Sequence, residues 1–400
     1  MEGDFIKINE WLMPLSWLYG LGVKLRNMLF DLEIRKSHSF KTPVISIGNI
    51  TVGGTGKTPH VEYLIRLLQD NYRVAVLSRG YKRKSSGFVI ADNQTTMNDI
   101  GDEPFQMKQK FPKVTIAVDK KRVNGINRLT NNDSKKSNID VVLLDDAFQH
   151  RQVKPGINIL LVDYHRLIIY DKLLPAGRLR EPLKGKDRAD IVIVTKCPKD
   201  LKPMEYRVIT KAMNLYPYQQ LFFSTLDYEE LQPVFKSGKS AKQEKLANLK
   251  DKNILLLTGI ASPRQLNVDL KPLVKTITPM TFSDHHNFTH YDVQQLNMAF
   301  DNMPSPKCII TTEKDAARLL TTEGLSDEVR QHLFMLPVHI SFMQGQEEAF
   351  NKHITSYVHN KTRRTNAHKK TEVQKHGQKQ AQKQNTGNKD NSRPRTIKFN

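Results

Sequence analysis

The sequence predicts an α/β protein built on a doubly wound, mostly parallel sheet. It adds a second smaller α/β lobe, an N-terminal interfacial helix and a disordered basic C-terminal tail. Three observations predict this. Between residues 43 and 342, short β-rich runs alternate with helical stretches, the pattern of a parallel sheet. Several runs are continuously apolar (VVLLDD, INILLVD, IVIVTK, NILLLTG), as strands buried on both faces require. The two ends of the chain depart from this middle in composition. At 400 residues and 38% hydrophobic content, the chain can fill two domains, or one large domain with additions. Its 2 cysteines, Cys197 and Cys308, cannot make a disulfide framework or a thiolate metal site, which points to a reducing compartment. Collagen, a small secreted scaffold and a polytopic membrane protein are excluded.

The first element, within residues 1–36, is the interfacial helix. Trp11–Val23 runs 13 residues without a charge and holds both tryptophans. As a helix it reaches roughly 20 Å, short of a hydrocarbon core of about 30 Å, so it should not span a bilayer. Lys7 alone precedes it among Glu2, Asp4 and Glu10, and no small-residue cleavage site follows, which argues against a secretory signal. Trp11, Trp17 and Tyr19 followed by Lys24, Arg26, Arg35 and Lys36 give the aromatic belt and cations of a helix lying in a membrane interface. Packing on the protein's own core is the alternative.

Residues 37–235 should form the larger lobe. Its strands are expected at Pro43–Ile47, Arg73–Leu77, Val114–Val118, Asp140–Leu144, Ile157–Val162, Asp190–Val194 and Gln220–Ser224. The strongest local signal is GNITVGGTGKTPHVEYLIRLL, residues 48–68. A β-branched strand enters a loop with glycines at 53, 54 and 56, which lets backbone N–H groups turn inward around phosphate oxygens. Lys57 would neutralise the β- and γ-phosphates, and the Thr58 hydroxyl would take a Mg²⁺ coordination position. Pro59 is tolerated in the first helical turn. The lobe is thus of the P-loop NTPase type, with Thr51, Val52, Gly53, Gly54, Thr55, Gly56, Lys57 and Thr58 as the nucleotide loop. The usual first glycine is Thr51 here. The double glycine resembles signal-recognition and Min-type NTPases, which carry a lysine where this chain has Val52.

At the end of a buried strand, VVLLDDAFQH delivers Asp145 and Asp146 to a Walker B position, where a carboxylate holds Mg²⁺ directly or through water. A guanine-reading motif is nearly present in TKCP (195–198), but proline replaces its aspartate, which favours ATP over GTP. Phosphoryl transfer also needs a group that activates the nucleophile. Asp102 in GDEP is one candidate, expected in a turn off any regular element, where a turn-capping role competes. SDHHNFTHYD (283–292) is the other. Its histidines at 285, 286 and 290 suggest a metal, a proton-transferring His–carboxylate pair, or structure alone. Arg79 in LSRGYKRK, and Arg178, Arg180, Glu181, Lys184 and Lys186 in the 173–188 loop, are solvated charge or a grip on an anionic substrate.

Lys236–Asp251 is polar and aperiodic, a boundary before a second lobe at 250–345 with strands at Asn253–Leu257, Lys307–Thr311 and Leu336–Ile340. The tail, 361–400, carries +10 of the formal net charge of +21. It lacks the apolar residues to fold. It is either plain solvated chain or a segment drawn to anionic lipid or RNA, and without interleaved aromatics no specific nucleic-acid partner is expected.

Taken together, NITVGGTGKTP, LSRGYKRK, GDEP, LDDAFQHR, LLPAGRLREP, VTKC, LTGIASP, DHHNFT and TTEKDAARL resemble, in order, the tetraacyldisaccharide 4′-kinase family of lipid A biosynthesis. The resemblance implies transfer of the γ-phosphate of ATP, with Mg²⁺, to the 4′-hydroxyl of an acylated disaccharide 1-phosphate lipid, giving lipid IVA. It implies work at the cytoplasmic face of the bacterial inner membrane, as a peripheral or monotopic protein whose N-terminal helix meets the membrane surface. It makes Asp102 the general base, assisted by His285 in preference to His286. It places Arg180 and Glu181 near substrate or metal, and Arg79 and Gln149 are further candidates for the substrate. Where family members often read DDGLQH and LPAGPLREP, this chain has DDAFQH and LPAGRLREP. A Min-type switch would expect lysine at position 52, and a nucleic-acid-binding ATPase would rest on the tail alone.

Overall fold

The computed structural model describes residues 8–130, 139–235, 243–260, 263–284 and 286–365. The expected tail from residue 366 onward, and His285, lie outside the described residues.

In chain order, helix α1 (Met13–Asp31) precedes β1 (Val44–Gly48), α2 (Lys57–Leu68), β2 (Val74–Ser78) and β3 (Val89–Ile90). Then come α3 (Met97–Ile100), α4 (Asp102–Lys110), β4 (Thr115–Val118), α5 (Arg122–Thr130), β5 (Val141–Asp145) and β6 (Ile157–Asp163). The larger lobe continues with β7 (Ile191–Thr195), α6 (Pro203–Met213) and β8 (Gln220–Tyr228). The smaller lobe holds β9 (Gln232–Pro233), β10 (Asn253–Thr258), α7 (Arg264–Leu270), β11 (Thr276–Thr281) and α8 (His290–Asp301). Its remaining elements are β12 (Lys307–Thr312), α9 (Glu313–Leu319), α10 (Asp327–His332) and β13 (Leu333–Leu336). Strand β14 (Val338–Phe342) and a last helix, α11 (347–365), close the described chain.

The first sheet has 9 strands in the order β14-β8-β7-β6-β1-β5-β2-β4-β3. Pairings from β8 through β4 are parallel, and the two edges, β14 and β3, are antiparallel. Alternate strand residues enter opposite cores. Ile45, Ile47, Val76 and Leu143 face the core that α2 completes, whereas Val44, Leu77 and Leu144 pack with Ile126 and Leu129 of α5. Burial on both faces is what the uninterrupted apolar runs demanded. The second sheet has 5 strands in the order β11-β10-β12-β13-β9.

Three departures from the sequence expectations have clear causes. The run expected as one strand at 336–340 is two strands, because Pro337 has no N–H to continue a ladder. The expected second lobe, 250–345, includes β14, yet β14 pairs with β8 in the first sheet, where Ile340 and Phe342 enter the main core. Residues 361–365, expected in the disordered tail, extend α11, whose Phe350, Ile354 and Val358 seal the same core. Phe342 and Phe350 lie 4.4 Å apart between ring centroids.

Candidate active site

The nucleotide loop leaves β1 and is braced from three sides. Asn49 Nδ2 donates to Thr55 Oγ1 at 2.8 Å, Thr195 Oγ1 donates to the Thr55 carbonyl at 3.0 Å, and the Val52 amide donates to the Arg178 carbonyl at 2.8 Å. Lys196 closes the far side by bonding the Gly54 carbonyl and Asp163. Gly53 (φ 119°) and Gly56 (φ 80°) hold left-handed backbone that a side chain would strain. Gly56 caps α2 without a side-chain bond, so the first-turn N–H groups stay available to an anion. Below them the buried His60 ring spans from the Gly56 carbonyl (2.7 Å) to Ser224 Oγ (3.0 Å). Burial pulls its pKa down to about 4, so the ring is neutral.

The carboxylates stand opposite the loop. Asp145 is buried, and its Oδ2 accepts from Ser78 Oγ at 3.0 Å. Asp146, in left-handed backbone (φ 45°), faces Lys57 Nζ at 3.7 Å and Arg180 Nη1 at 3.5 Å. Burial first, then the negative charges of Glu103 and Asp146, push the Asp145 carboxyl up to about 7. Burial also raises Asp146, but Lys57 and Arg180 outweigh it and hold that carboxyl below its ordinary range. The Oδ1 atoms of both aspartates are buried without a hydrogen-bond partner among the described residues.

A cavity of about 870 Å³ opens between these groups and the smaller lobe. Val52–Thr58, Arg79, Asp145, Asp146 and Arg180 all line it. Thr51 lies just behind, buried and bridged to Leu179. The smaller lobe contributes Gln265, Asp284, Glu313 and Lys314.

Other expected residues sit elsewhere. Asp102 is the first residue of α4, not part of an irregular turn. Gly101 (φ 92°) makes the bend, and a helix N-terminus favours the acids Asp102 and Glu103. Asp102 lies on the lobe interface, ion-paired to Arg318. Gln149 bonds the Asn49 carbonyl and braces the end of β1. Glu181 is buried and takes two bonds from Arg188, at 2.9 and 3.0 Å, away from the cavity lining. His286 Nε2 pairs with Asp292 Oδ2 at 2.8 Å. Among the described residues, no group of three or more His, Cys, Asp or Glu converges as a metal site.

Sequence reasoning missed Glu103 and Lys314, which line the cavity from opposite lobes 3.8 Å apart. Their signals were the second acid of GDEP and the lysine of TTEKD. It also missed a corner of two arginines and a histidine. Arg26 Nε, Arg122 Nε and His150 Nε2 are buried without hydrogen-bond partners among the described residues. Burial, then Arg122, Arg79 and Arg26, pull His150 down to about 4.

Helix α1 docks by one edge only. Ser16 Oγ donates to the Leu173 carbonyl at 3.0 Å and accepts the Ala176 amide at 2.9 Å. Further along, Tyr19 Oη donates to the Arg180 carbonyl at 2.7 Å, and Arg26 Nη2 to the Gln149 carbonyl at 3.2 Å. The opposite face leaves Leu18, Leu21, Leu25, Met28 and Leu32 exposed at helical spacing, with Trp11 and Trp17 beside them. Among the described residues, no helix is long and apolar enough to cross a membrane.

Known proteins resemble this chain in sequence and in fold. The chain is 58% identical over 367 residues to the tetraacyldisaccharide 4′-kinase of Phocaeicola vulgatus, covering 92% of this chain and 100% of that protein. It is 54% identical over 380 residues to the enzyme of the same name from Bacteroides thetaiotaomicron, again covering 92% and 100%. A crystal structure of LpxK from Aquifex aeolicus in complex with ATP superposes with a TM-score of 0.65 at 30% identity, covering 87% of this chain and 98% of that one. The family model for LpxK, tetraacyldisaccharide-1-P 4′-kinase, matches residues 8–359. With the phosphate loop, the paired aspartates and the interlobe cavity all inside that match, the chain belongs to the tetraacyldisaccharide-1-P 4′-kinase family.

Proposed function

We infer that this protein transfers the γ-phosphate of ATP to the 4′-hydroxyl of tetraacyldisaccharide 1-phosphate, forming lipid IVA. One observation carries the reading beyond family membership. Tyr19 of the apolar-faced helix bonds the backbone of Arg180, and the Arg180 side chain reaches Asp146 in the phosphate site. A lipid lying against α1 therefore has its sugar beside the nucleotide. Extracting such a lipid from the bilayer would cost about 0.8 kcal/mol per CH₂, so the enzyme must work at the surface. It works on the cytoplasmic face, where ATP is.

The donor set suits Mg²⁺. That ion keeps several waters and needs only one or two carboxylates besides phosphate oxygens, so no preformed cage is required. Thr58, Asp145 and Asp146 would hold it, and Asp145 Oδ1, buried without a hydrogen-bond partner among the described residues, is an oxygen left over for it. When bound, the ion neutralises phosphate charge during transfer. Lys57 shares that task and fixes the triphosphate. Asp102, ion-paired to Arg318, accepts the hydroxyl proton. His285 assists it. Arg26, Arg122 and Arg79, with the neutral His150 ring beside them, suit the 1-phosphate of the sugar.

The test is Asp102→Asn. ATP binding should persist while kcat with the disaccharide falls by about two orders of magnitude. An unchanged kcat would remove Asp102 from the base role.

A further inference from the structure

Arg318, on α9 of the smaller lobe, is buried, and its guanidinium crosses the lobe interface. Nη1 donates to Asp315 Oδ1 at 3.0 Å and to the Gly259 carbonyl at 3.4 Å. Nε donates to Asp102 Oδ2 at 3.2 Å, and Nη2 donates to the same oxygen. Asp315 is itself fixed. It is fully buried, and its Oδ2 accepts the Gly259 amide at 2.8 Å and the Thr312 hydroxyl at 2.7 Å. A rigid series of bonds thus runs from the end of β10 through Asp315 and Arg318 to the first residue of α4.

Neutralising Asp102 needs only a positive charge, and a lysine would supply one. Arginine adds a planar fork whose donors keep fixed directions. Both of its contacts fall on Oδ2, so the fork anchors that oxygen at the lobe interface from two directions. Two other ion pairs join the same helices, Lys110 to Glu313 at 2.6 Å and Lys314 to Glu103 at 3.8 Å. Docking of α9 on α4 therefore does not depend on Arg318 alone.

We propose that Arg318 is a positioning residue for phosphoryl transfer, holding the Asp102 carboxylate in the orientation that receives the acceptor hydroxyl's proton. The proposal rests on the reading of Asp102 as the proton acceptor. Misplacing a reacting group by about 1 Å can cost about 100-fold in rate. A positioning defect should therefore appear in kcat and leave nucleotide binding alone.

The experiment is a double-mutant cycle of wild type, Arg318→Lys, Asp102→Asn and the double variant, assayed with labelled ATP and acylated disaccharide in detergent. Arg318→Lys keeps the cation and loses the fork. The expected result is a kcat lower by about 10- to 100-fold with KM for ATP within about twofold of wild type. In the Asp102→Asn background the same change should leave kcat within about twofold. An equal loss in both backgrounds, or a fall in Tm and rise in KM at constant kcat, overturns the proposal. Should Arg318→Lys not fold, Asp315→Asn loosens Arg318 without removing it and is judged by the same criteria. Wild-type kcat in Asp102→Asn itself instead overturns the proton-acceptor reading, a separate failure.

Discussion

Replacing Leu18 and Leu21 together by aspartate asks whether the exposed face of α1 is the surface that meets lipid. These side chains are 68% and 66% exposed in the folded protein, so the fold has little to lose. A membrane would have that much of each to bury. Fully burying a leucine is worth roughly 1.5–3 kcal/mol, so two-thirds of it on each side chain gives about 2–4 kcal/mol for the pair. At about 1.4 kcal/mol per tenfold, vesicle binding should weaken about 30- to 1000-fold. Repulsion between the new carboxylates and anionic lipid adds to the loss. The assay is co-sedimentation with anionic liposomes over a range of lipid concentrations, with Tm and ATP binding measured on the same preparations. Undiminished sedimentation at wild-type Tm would show that lipid meets another surface.

Lys57→Met should abolish measurable binding of labelled ATP while leaving Tm close to wild type, and retained binding would remove Lys57 from the phosphate site. Glu62, buried on α2, is raised from an ordinary 4.5 to about 7 by burial and then by Glu313, against the opposing pull of Lys110. The folded state therefore holds a proton that the unfolded state releases, so this group's contribution is full below pH 4.5 and fades as pH rises through 7, by up to ~3 kcal/mol. Glu62→Gln should flatten the decline of Tm between pH 5 and 8, and an unchanged slope would contradict that. Deleting residues 366–400, which lie beyond the family match at 8–359, should leave kinase turnover within about twofold, and a large loss would mean the tail helps capture substrate.

The parts of the fold legible in the sequence were those in which one local cause decides the outcome. Runs such as INILLVD are buried on both faces and could be little else than central strands. Strand β11 was not foreseen, because an edge strand with mostly exposed side chains leaves no apolar signature and even tolerates Pro279. Within the site, the glycine loop and the paired aspartates announced themselves by spacing, as did Lys57. What spacing could not show is which charges meet. Asp102 and Arg318 are 216 residues apart and join only because two lobes face each other. Gln149 and Glu181 lie within motif-like stretches, yet their side chains brace a strand end and bind Arg188. A motif marks a neighbourhood, and packing decides which of its residues face the cavity.

The most direct measurement is the fate of γ-labelled phosphate when the full-length protein meets ATP, Mg²⁺ and acylated disaccharide 1-phosphate in detergent, read by lipid chromatography. Label should move to the disaccharide as a 4′-phosphate, about two orders of magnitude more slowly in Asp102→Asn. Label that stays on the nucleotide, or leaves only as inorganic phosphate when the lipid is present, would contradict it.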